Sequence, residues 1–345
     1  MDDRLLINAK WRVSPRVSGV QRYAEGLARA IDASALPARF VEPPHADRLR
    51  TTFWEQNTLT KLARNHGALL CPANSAPLQL DQDIRLLVTI HCLRFHFHPT
   101  SYSPAFVRWY RVMIPRVIER ANTIFTVSQA QRTEIEGVYP AATGKIQVMS
   151  PGLDPEFHPD HERDNAVPEG AYLVAISTPA PAKNLGTLIK AYARCVDLPP
   201  LVLIGVSPRE ADVLCPESVR SRVHALGQID DSTRIASILA HAQLLLAPSR
   251  YESFGLPCLE AMGCGTPVLA SDIPAHREVC RSAAAFAEPV NPDAWEEQLV
   301  QILADSSRLA RMRNAGLTRS RAYRWEPSLR TLERELRRGV VSVSA

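Results

Sequence analysis

Long apolar runs are missing from this sequence: no stretch reaches the roughly 18 residues a membrane-spanning helix needs, which excludes an integral membrane protein. The opening segment, MDDRLLINAKWR, lacks the apolar centre of a secretory signal, so a cytoplasmic protein is expected. Cysteine is scarce in pattern as well as number. The seven (Cys71, Cys92, Cys195, Cys215, Cys258, Cys264 and Cys280) form no Cys-x-x-Cys pair, which argues against a disulfide framework or zinc site and predicts reduced, partly buried thiols. Aromatics are only 6%, and a net charge of +4 is too weak to imply a nucleic-acid partner. No Gly-x-Gly-x-x-Gly follows the first apolar run, which argues against a nicotinamide oxidoreductase, and no Gly-x-x-x-x-Gly-Lys-[Ser/Thr] is present, which excludes a P-loop kinase.

What is present is a chain of 345 residues with ordinary apolar content, long enough for about two domains. Charge is uneven: residues 1–156 carry 19 Lys and Arg against 14 Asp and Glu, the remainder 21 against 22. The first half is therefore the basic one, suited to an anionic surface or a phosphate-bearing acceptor. Short, continuously apolar runs at Leu5–Asn8, Ala68–Cys71, Arg85–Ile90 and Thr123–Val127 read as buried parallel strands. Helical patterns lie between and after them at Val20–Asp32, Phe53–Asn65, Pro104–Arg120 and Gln129–Gly137. A Pro-, Asp- and Glu-rich stretch at about 150–170 breaks the pattern, which restarts with strands at Tyr172–Ser177, Leu201–Gly205, Val223–Leu226, Leu244–Ala247 and Pro267–Ala270. Helical patterns then run from Asp293 to about Arg338, with Pro327 suited to a first helical turn. Two sets of β-α units predict an α/β protein with two doubly wound domains, residues 1–160 and 161–325, followed by a helix at 326–345 expected to pack back on the first. Ligands of such sheets bind beyond the carboxyl ends of the strands, so a cleft between the two domains is the expected site.

The most informative segment is PSRYESFGLPCLEAMGCGTPVLASDIPAHRE, residues 248–278. Glu252 follows a strand, Gly255-Leu256-Pro257 opens a helix, and Glu260, seven intervening residues after Glu252, is expected in that helix's first turn. Free N–H groups at a helix start suit a diphosphate, glycine permits close approach, and an acidic residue there can accept from a ribose diol. The helix dipole alone also favours a first-turn glutamate, so the signal lies in the pair of carboxylates bracketing the turn.

This segment resembles the donor-binding signature of the family 4 retaining glycosyltransferases, the "group 1" family with the GT-B fold of two Rossmann-like domains facing across a cleft. The likeness extends to VAISTPAPAKNLGTLIKAY, SGVQRYAEGLARAID, IHCLRFHFHPTSYSP, TVSQAQRTEI and SPGLDPEFHPD, in the family's order over most of residues 5–280. It implies that Lys183 pairs with the donor diphosphate beside Asn184, and that Glu252 binds sugar hydroxyls with the amides of Ser253, Phe254, Gly255 and Leu256 near sugar and phosphates. Glu260 would bind the ribose, Gly19 would offer a backbone N–H to the phosphate, and His91 would lie by the transferred sugar. Cys92 stands where relatives carry Asp. Thr178 and Ala182 occupy the positions where an arginine is usual near the lysine, which leaves Arg250 as a candidate substitute. Lys183, Glu252 and His91 are thus the catalytic candidates.

The resemblance further implies a nucleotide-sugar co-substrate and no cofactor, since relatives dispense with a D-x-D metal clamp and none stands at a strand end here. Relatives opening with Gly-Val-Gln-Arg-Tyr build bacterial surface polysaccharides, often from GDP-mannose, so the acceptor is expected to be a glycan or a polyprenyl-diphosphate-linked saccharide. A UDP- or GDP-glucose-type donor with a different acceptor, or an inactive nucleotide-sugar-binding module, are the alternatives. A nucleotide-sugar epimerase is disfavoured by the Lys-Asn and Glu-x(7)-Glu combination. Residues 94–116 mix aromatics with Arg94, Arg108 and Arg111, either as a peripheral membrane or acceptor-lipid surface at the membrane's inner face, or as a connecting loop and half-buried helix.

Overall fold

The computed structural model describes residues 5–14 and 18–341; Val17, in the Gly-loop segment, and the acidic residues of the opening segment lie outside that range. The first sheet contains β1 (Leu5–Asn8), β2 (Ala38–Val41), β3 (Ala68–Cys71), β4 (Arg85–Thr89), β5 (Thr123–Thr126) and β6 (Ile146–Val148). The second contains β7 (Leu173–Ile176), β8 (Leu201–Ile204), β9 (Val223–Gly227), β10 (Leu244–Ala247), β11 (Val268–Ser271) and β12 (Ala284–Ala287). All pairings are parallel, in the orders β2-β1-β3-β4-β5-β6 and β12-β11-β10-β7-β8-β9. Parallel strands need crossovers, and helices supply all but the one between β3 and β4, which is a loop; covered on both faces, the central strands are buried and read as unbroken apolar runs.

β2, β6 and β12 are additions to the strands expected from sequence, and each is the edge of its sheet. Their sequences, Ala-Arg-Phe-Val, Ile-Gln-Val and Ala-Ala-Phe-Ala, carry polar or small residues because an edge strand is covered less completely than a central one. The helix expected from Phe53 starts earlier, at Arg48, because Asp47 caps it by accepting from the Arg50 N–H at 2.9 Å. No strand or helix occurs between Val148 and Leu173.

Packing divides the chain into two units, one running to Gly152 and resuming at Arg324, the other Leu153–Tyr323. The Pro-rich stretch predicts a break at 160/161; it falls at 152/153 because Leu153 and Phe157 lie against Gly263 in the second unit. In the first unit the helix Trp325–Val341 is held at both ends. Trp325 stacks edge-on against Tyr23, with ring centroids 5.4 Å apart, and presses on Gly26 and Gly152. Ten residues on, buried Glu335 accepts from Thr123 Oγ1 at 3.2 Å, and Arg85 Nη1 donates to the Glu335 carbonyl at 2.7 Å. Ten helical residues rise about 15 Å, close to the length of a five-residue strand at about 3.3 Å per residue. The helix therefore runs the height of the sheet, from Tyr23 to the amino ends of β4 and β5.

A Cβ at Gly26 would sit 2.3 Å from Trp325 Cζ2, and one at Gly152 2.6 Å from the Trp325 backbone nitrogen. Gly26→Ala is expected to destabilise the protein by about 1–3 kcal/mol through overpacking, read as a lower midpoint in urea. Adding Trp325→Leu should recover part of that loss; strictly additive losses would show that the indole does not seat on Gly26.

Candidate functional site

The second sheet reverses its strand order between β7 and β10. Loops leaving two such strands diverge to opposite faces and leave a crevice at their carboxyl ends, the usual ligand position in an open α/β sheet. The residues singled out in the second half of the sequence arrive on these two loops.

After β7 the chain makes a short 3-10 turn, Pro181–Lys183, and reverses at Asn184, whose φ of 57° lies in the left-handed region that asparagine tolerates. The Asn184 side chain ties the two loops together. Its Nδ2 donates to the carbonyls of Pro248 (2.9 Å) and Pro289 (2.5 Å), and its Oδ1 accepts from Thr187 Oγ1 (2.8 Å) and Arg250 Nε (3.1 Å). Those four bonds use the whole capacity of the amide, so Asn184 acts here as a fastener. The Arg250 N–H also donates to the Ala182 carbonyl at 2.9 Å, setting the loop after β10 directly against Lys183.

Lys183 Nζ donates to Glu252 Oε1 at 2.5 Å, and Ser249 Oγ donates to the same oxygen at 2.8 Å. The two charged side chains are 18% and 13% exposed. Largely out of water, they attract each other more strongly than a surface pair would. The ammonium and the carboxylate form one polar group at the switch point, with charge of both signs, and the Arg250 guanidinium lies on the same loop, bonded to Asn184.

Beyond Glu252, Phe254 is buried edge-on against Tyr323, with ring centroids 5.4 Å apart. Gly255, with φ 99°, caps the helix Leu256–Gly263, and Pro257 lies in the first turn. This is the left-handed region that favours glycine. The helix begins at Leu256, so Glu260 lies in its second turn and not in the first as expected; the start is set by the left-handed cap at Gly255. Glu260 is buried, at 4% exposure, so its carboxylate is oriented by its surroundings and not by the helix dipole alone. Ser253 and Leu256 are half-buried in the same turn.

Gly19 and His91 belong to the first unit. Ser18 caps the helix Gly19–Asp32 by accepting from the Val20 N–H at 3.3 Å, while the Ser18 N–H donates to Gln21 Oε1 at 3.1 Å. One turn along, Tyr23 packs edge-on against His91, with centroids 4.8 Å apart. His91, just past β4, is 4% exposed, and its N–H donates to Asn74 Oδ1 at 2.6 Å. Its Nε2 lies 2.9 Å from the Pro72 carbonyl. A carbonyl only accepts, so Nε2 carries the proton and Nδ1 is left as an acceptor. Burial lowers the His91 pKa to about 4 against the slight opposing pull of that carbonyl, so the ring is neutral at physiological pH.

Two features escaped the sequence reading. In the first unit, at the β1/β3 switch point, Glu55 Oε1 accepts from Asn8 Nδ2 (2.8 Å), Lys10 Nζ (2.7 Å) and Ser75 Oγ (2.9 Å). Glu55 comes from a helix far from these strand ends in sequence, and nothing in its neighbourhood marks it. In the second unit, buried His276 donates from Nδ1 to the Ser271 carbonyl at 3.0 Å, and a Cβ at Gly255 would sit 3.0 Å from its Cδ2. Burial lowers its pKa, while Glu252 pulls it up and Lys183 pushes it down. Its location inside the most informative segment was the available signal.

Two family models divide most of the chain between them: Glycosyltransferase Family 4 matches residues 35–157, and Glycosyl transferases group 1 matches residues 158–319. The chain is 31% identical over 261 residues to O-antigen chain mannosyltransferase B of Escherichia coli, covering 70% of this chain and 67% of that one. It is 25% identical over 252 residues to O-antigen chain mannosyltransferase RfbU of Salmonella typhimurium, covering 71% and 68%. Sucrose-phosphate synthase from Thermosynechococcus elongatus has a similar structure, with a TM-score of 0.77 at 17% identity over 99% of this chain and 100% of that one. HepE of Anabaena, in complex with UDP and glucose, gives 0.72 at 16% identity over 97% and 99%. At these identities the likeness to the solved structures is one of fold, the two-domain GT-B architecture.

The buried neutral histidines make stability depend on acid. Between about pH 4 and the usual 6.5, the unfolded chain binds a proton at His91 that the folded chain does not. The His91 contribution is therefore fully present above pH 6.5 and is lost as pH falls towards 4. The urea midpoint is expected to drop over that window and to drop less in His91→Asn; equal slopes would mean that His91 titrates normally.

Proposed function

The chain belongs to the glycosyl transferases group 1, and from that premise we propose that it transfers mannose from GDP-mannose to a glycan or polyprenyl-diphosphate-linked saccharide in bacterial surface polysaccharide synthesis, retaining the anomeric configuration. Glycosyl transfer in polysaccharide or glycan synthesis is common ground with the relatives; the mannosyl donor is supported by the names of the two O-antigen mannosyltransferases.

The observation that carries the reading is the Lys183–Glu252 pair at the β7/β10 switch point. In our reading a donor diphosphate draws the Lys183 ammonium to itself, with Arg250 alongside as the second cation. Positive charge there stabilises the negative charge that builds on the departing diphosphate. Glu252, released from Lys183, accepts from sugar hydroxyls, while buried Glu260 takes the ribose diol. With two protein cations serving the diphosphate, the reaction needs no metal. His91, neutral and with a fixed acceptor nitrogen, suits a hydroxyl better than proton transfer. The acceptor hydroxyl attacks the anomeric carbon on the face from which the diphosphate leaves. The carbon–phosphate-oxygen bond breaks as the new glycosidic bond forms, and the departing phosphate oxygen takes the hydroxyl proton.

The test is a thermal-shift panel of GDP, UDP, dTDP, ADP and CMP with EDTA present, on wild type and Glu260→Ala. At about 100 times the dissociation constant, a bound nucleotide stabilises by roughly 2.7 kcal/mol. GDP is expected to stabilise the wild type and not the variant. A response to another base replaces the donor, and no response to any overturns the nucleotide-sugar reading. An inverted product anomer would sink the retaining mechanism.

A second observation favours a membrane-edge location. The helix Pro104–Arg120 leaves Trp109 and Val112 exposed beside exposed Arg108, Arg111 and Arg116. An aromatic and an aliphatic group flanked by cations suit the interface of an anionic bilayer. Co-sedimentation with phosphatidylglycerol vesicles should fall on replacing Arg108 and Arg111 with Ser, and absence of wild-type binding would end the idea.

A further inference from the structure

Beside the donor loops stands a chemically competent side chain that the proposed reaction leaves unused. β11 is the neighbour of β10, and the short helix Pro274–Cys280 that follows it carries His276. Three adjacent strands, β7, β10 and β11, thus deliver Lys183, Glu252 and His276 from their carboxyl ends. The imidazole lies against the Gly255 turn: a Cβ on Gly255 would stand 3.0 Å from Cδ2 and 3.5 Å from Nε2. That turn follows Glu252 by three residues, and the ring feels the charges of both Glu252 and Lys183.

Its hydrogen bonding decides what it can recognise. The Ser271 carbonyl, 3.0 Å from Nδ1, can only accept, so Nδ1 carries the proton and Nε2 presents a lone pair. The one hydrogen bond His276 makes with its side chain among the described residues is through Nδ1. A neutral ring with a fixed acceptor repels phosphate oxygens, whose lone pairs oppose its own, and accepts from a hydroxyl. Resting on the donor reading above, we propose that His276 is a specificity-determining residue of the donor site, its Nε2 accepting a hydrogen bond from a hydroxyl of the sugar to be transferred. Gly255 is then glycine for two reasons: its positive φ, and the need to leave the imidazole room beside the turn.

Two substitutions separate this role from packing. His276→Asn retains a donor where Nδ1 stands, so the Ser271 bond can persist, and removes Nε2. His276→Gln keeps an acceptor near the Nε2 position and gives up the Ser271 bond. Calorimetry with GDP and GDP-mannose, and with UDP and UDP-glucose, reads the ratio of the two dissociation constants within each pair. Loss of one neutral hydrogen bond predicts about five-fold weaker binding of the nucleotide sugar by His276→Asn, with the nucleoside diphosphate unchanged and part of the loss restored in His276→Gln. Equal weakening of both ligands, or of neither, overturns the proposal and makes His276 a packing residue. Nitrogen chemical shifts of labelled histidine in the wild type supply a measurement that needs no variant to fold. The Nε2 resonance should move with GDP-mannose and stay in place with GDP; the same shift with both overturns the proposal. Wild type that binds no nucleotide at all defeats the donor reading and this inference with it, whereas wild-type binding with an unchanged ratio defeats this inference alone.

Discussion

Lys183 and Glu252 are 69 residues apart in the chain and 2.5 Å apart in space because β7 and β10 are neighbours. Strand order 3-2-1-4-5-6 places the first and fourth strands of the second unit side by side, with their crossovers leaving to opposite faces. The loops at that point have backbone and side chains to spare for a ligand, and they need fastening to one another. Asn184 does this with all four of its hydrogen-bonding positions, and the Arg250 N–H adds a backbone bond to Ala182. The loops that carry the charged pair are thus held together by bonds other than the pair itself.

The first unit obeys the same topological rule with different chemistry. Its switch point lies between β1 and β3 and is closed by a buried carboxylate, Glu55, that collects Asn8, Lys10 and Ser75. A buried charge is tolerated only when paired and hydrogen-bonded, and Glu55 meets both conditions. The nearby carboxyl-end loops are locked likewise, His91 being bonded to Pro72 and Asn74 in the loop after β3. The helix Trp325–Val341 then braces that unit from Tyr23 to Thr123.

Histidine serves both units in the same way. His91 and His276 are each tied by one ring nitrogen to a backbone carbonyl, which fixes the tautomer and leaves the other nitrogen as an acceptor. Burial keeps both neutral. Neither is arranged for proton transfer near neutral pH. In each ring the nitrogen opposite the bonded one keeps a lone pair that can accept from a hydroxyl.

By itself the sequence determined the central strands, the two-fold repetition of β-α units and the donor segment. Each of these is written in consecutive residues: a strand covered on both faces must be apolar throughout, and Glu252, Gly255, Pro257 and Glu260 lie within nine positions. The helix starts at Leu256, where the sequence puts it, and Glu260 as its fifth residue stands in the second turn by simple count of 3.6 residues per turn. Only the tertiary structure decided three of the four edge strands, because β2, β6 and β12 are stabilised by pairing with a neighbour on one side more than by their own apolar content. Glu55 was invisible for the same reason: its place is owed to Asn8, Lys10 and Ser75, which arrive after other strands, and strand order is a property of the packed sheet, not of any stretch of chain.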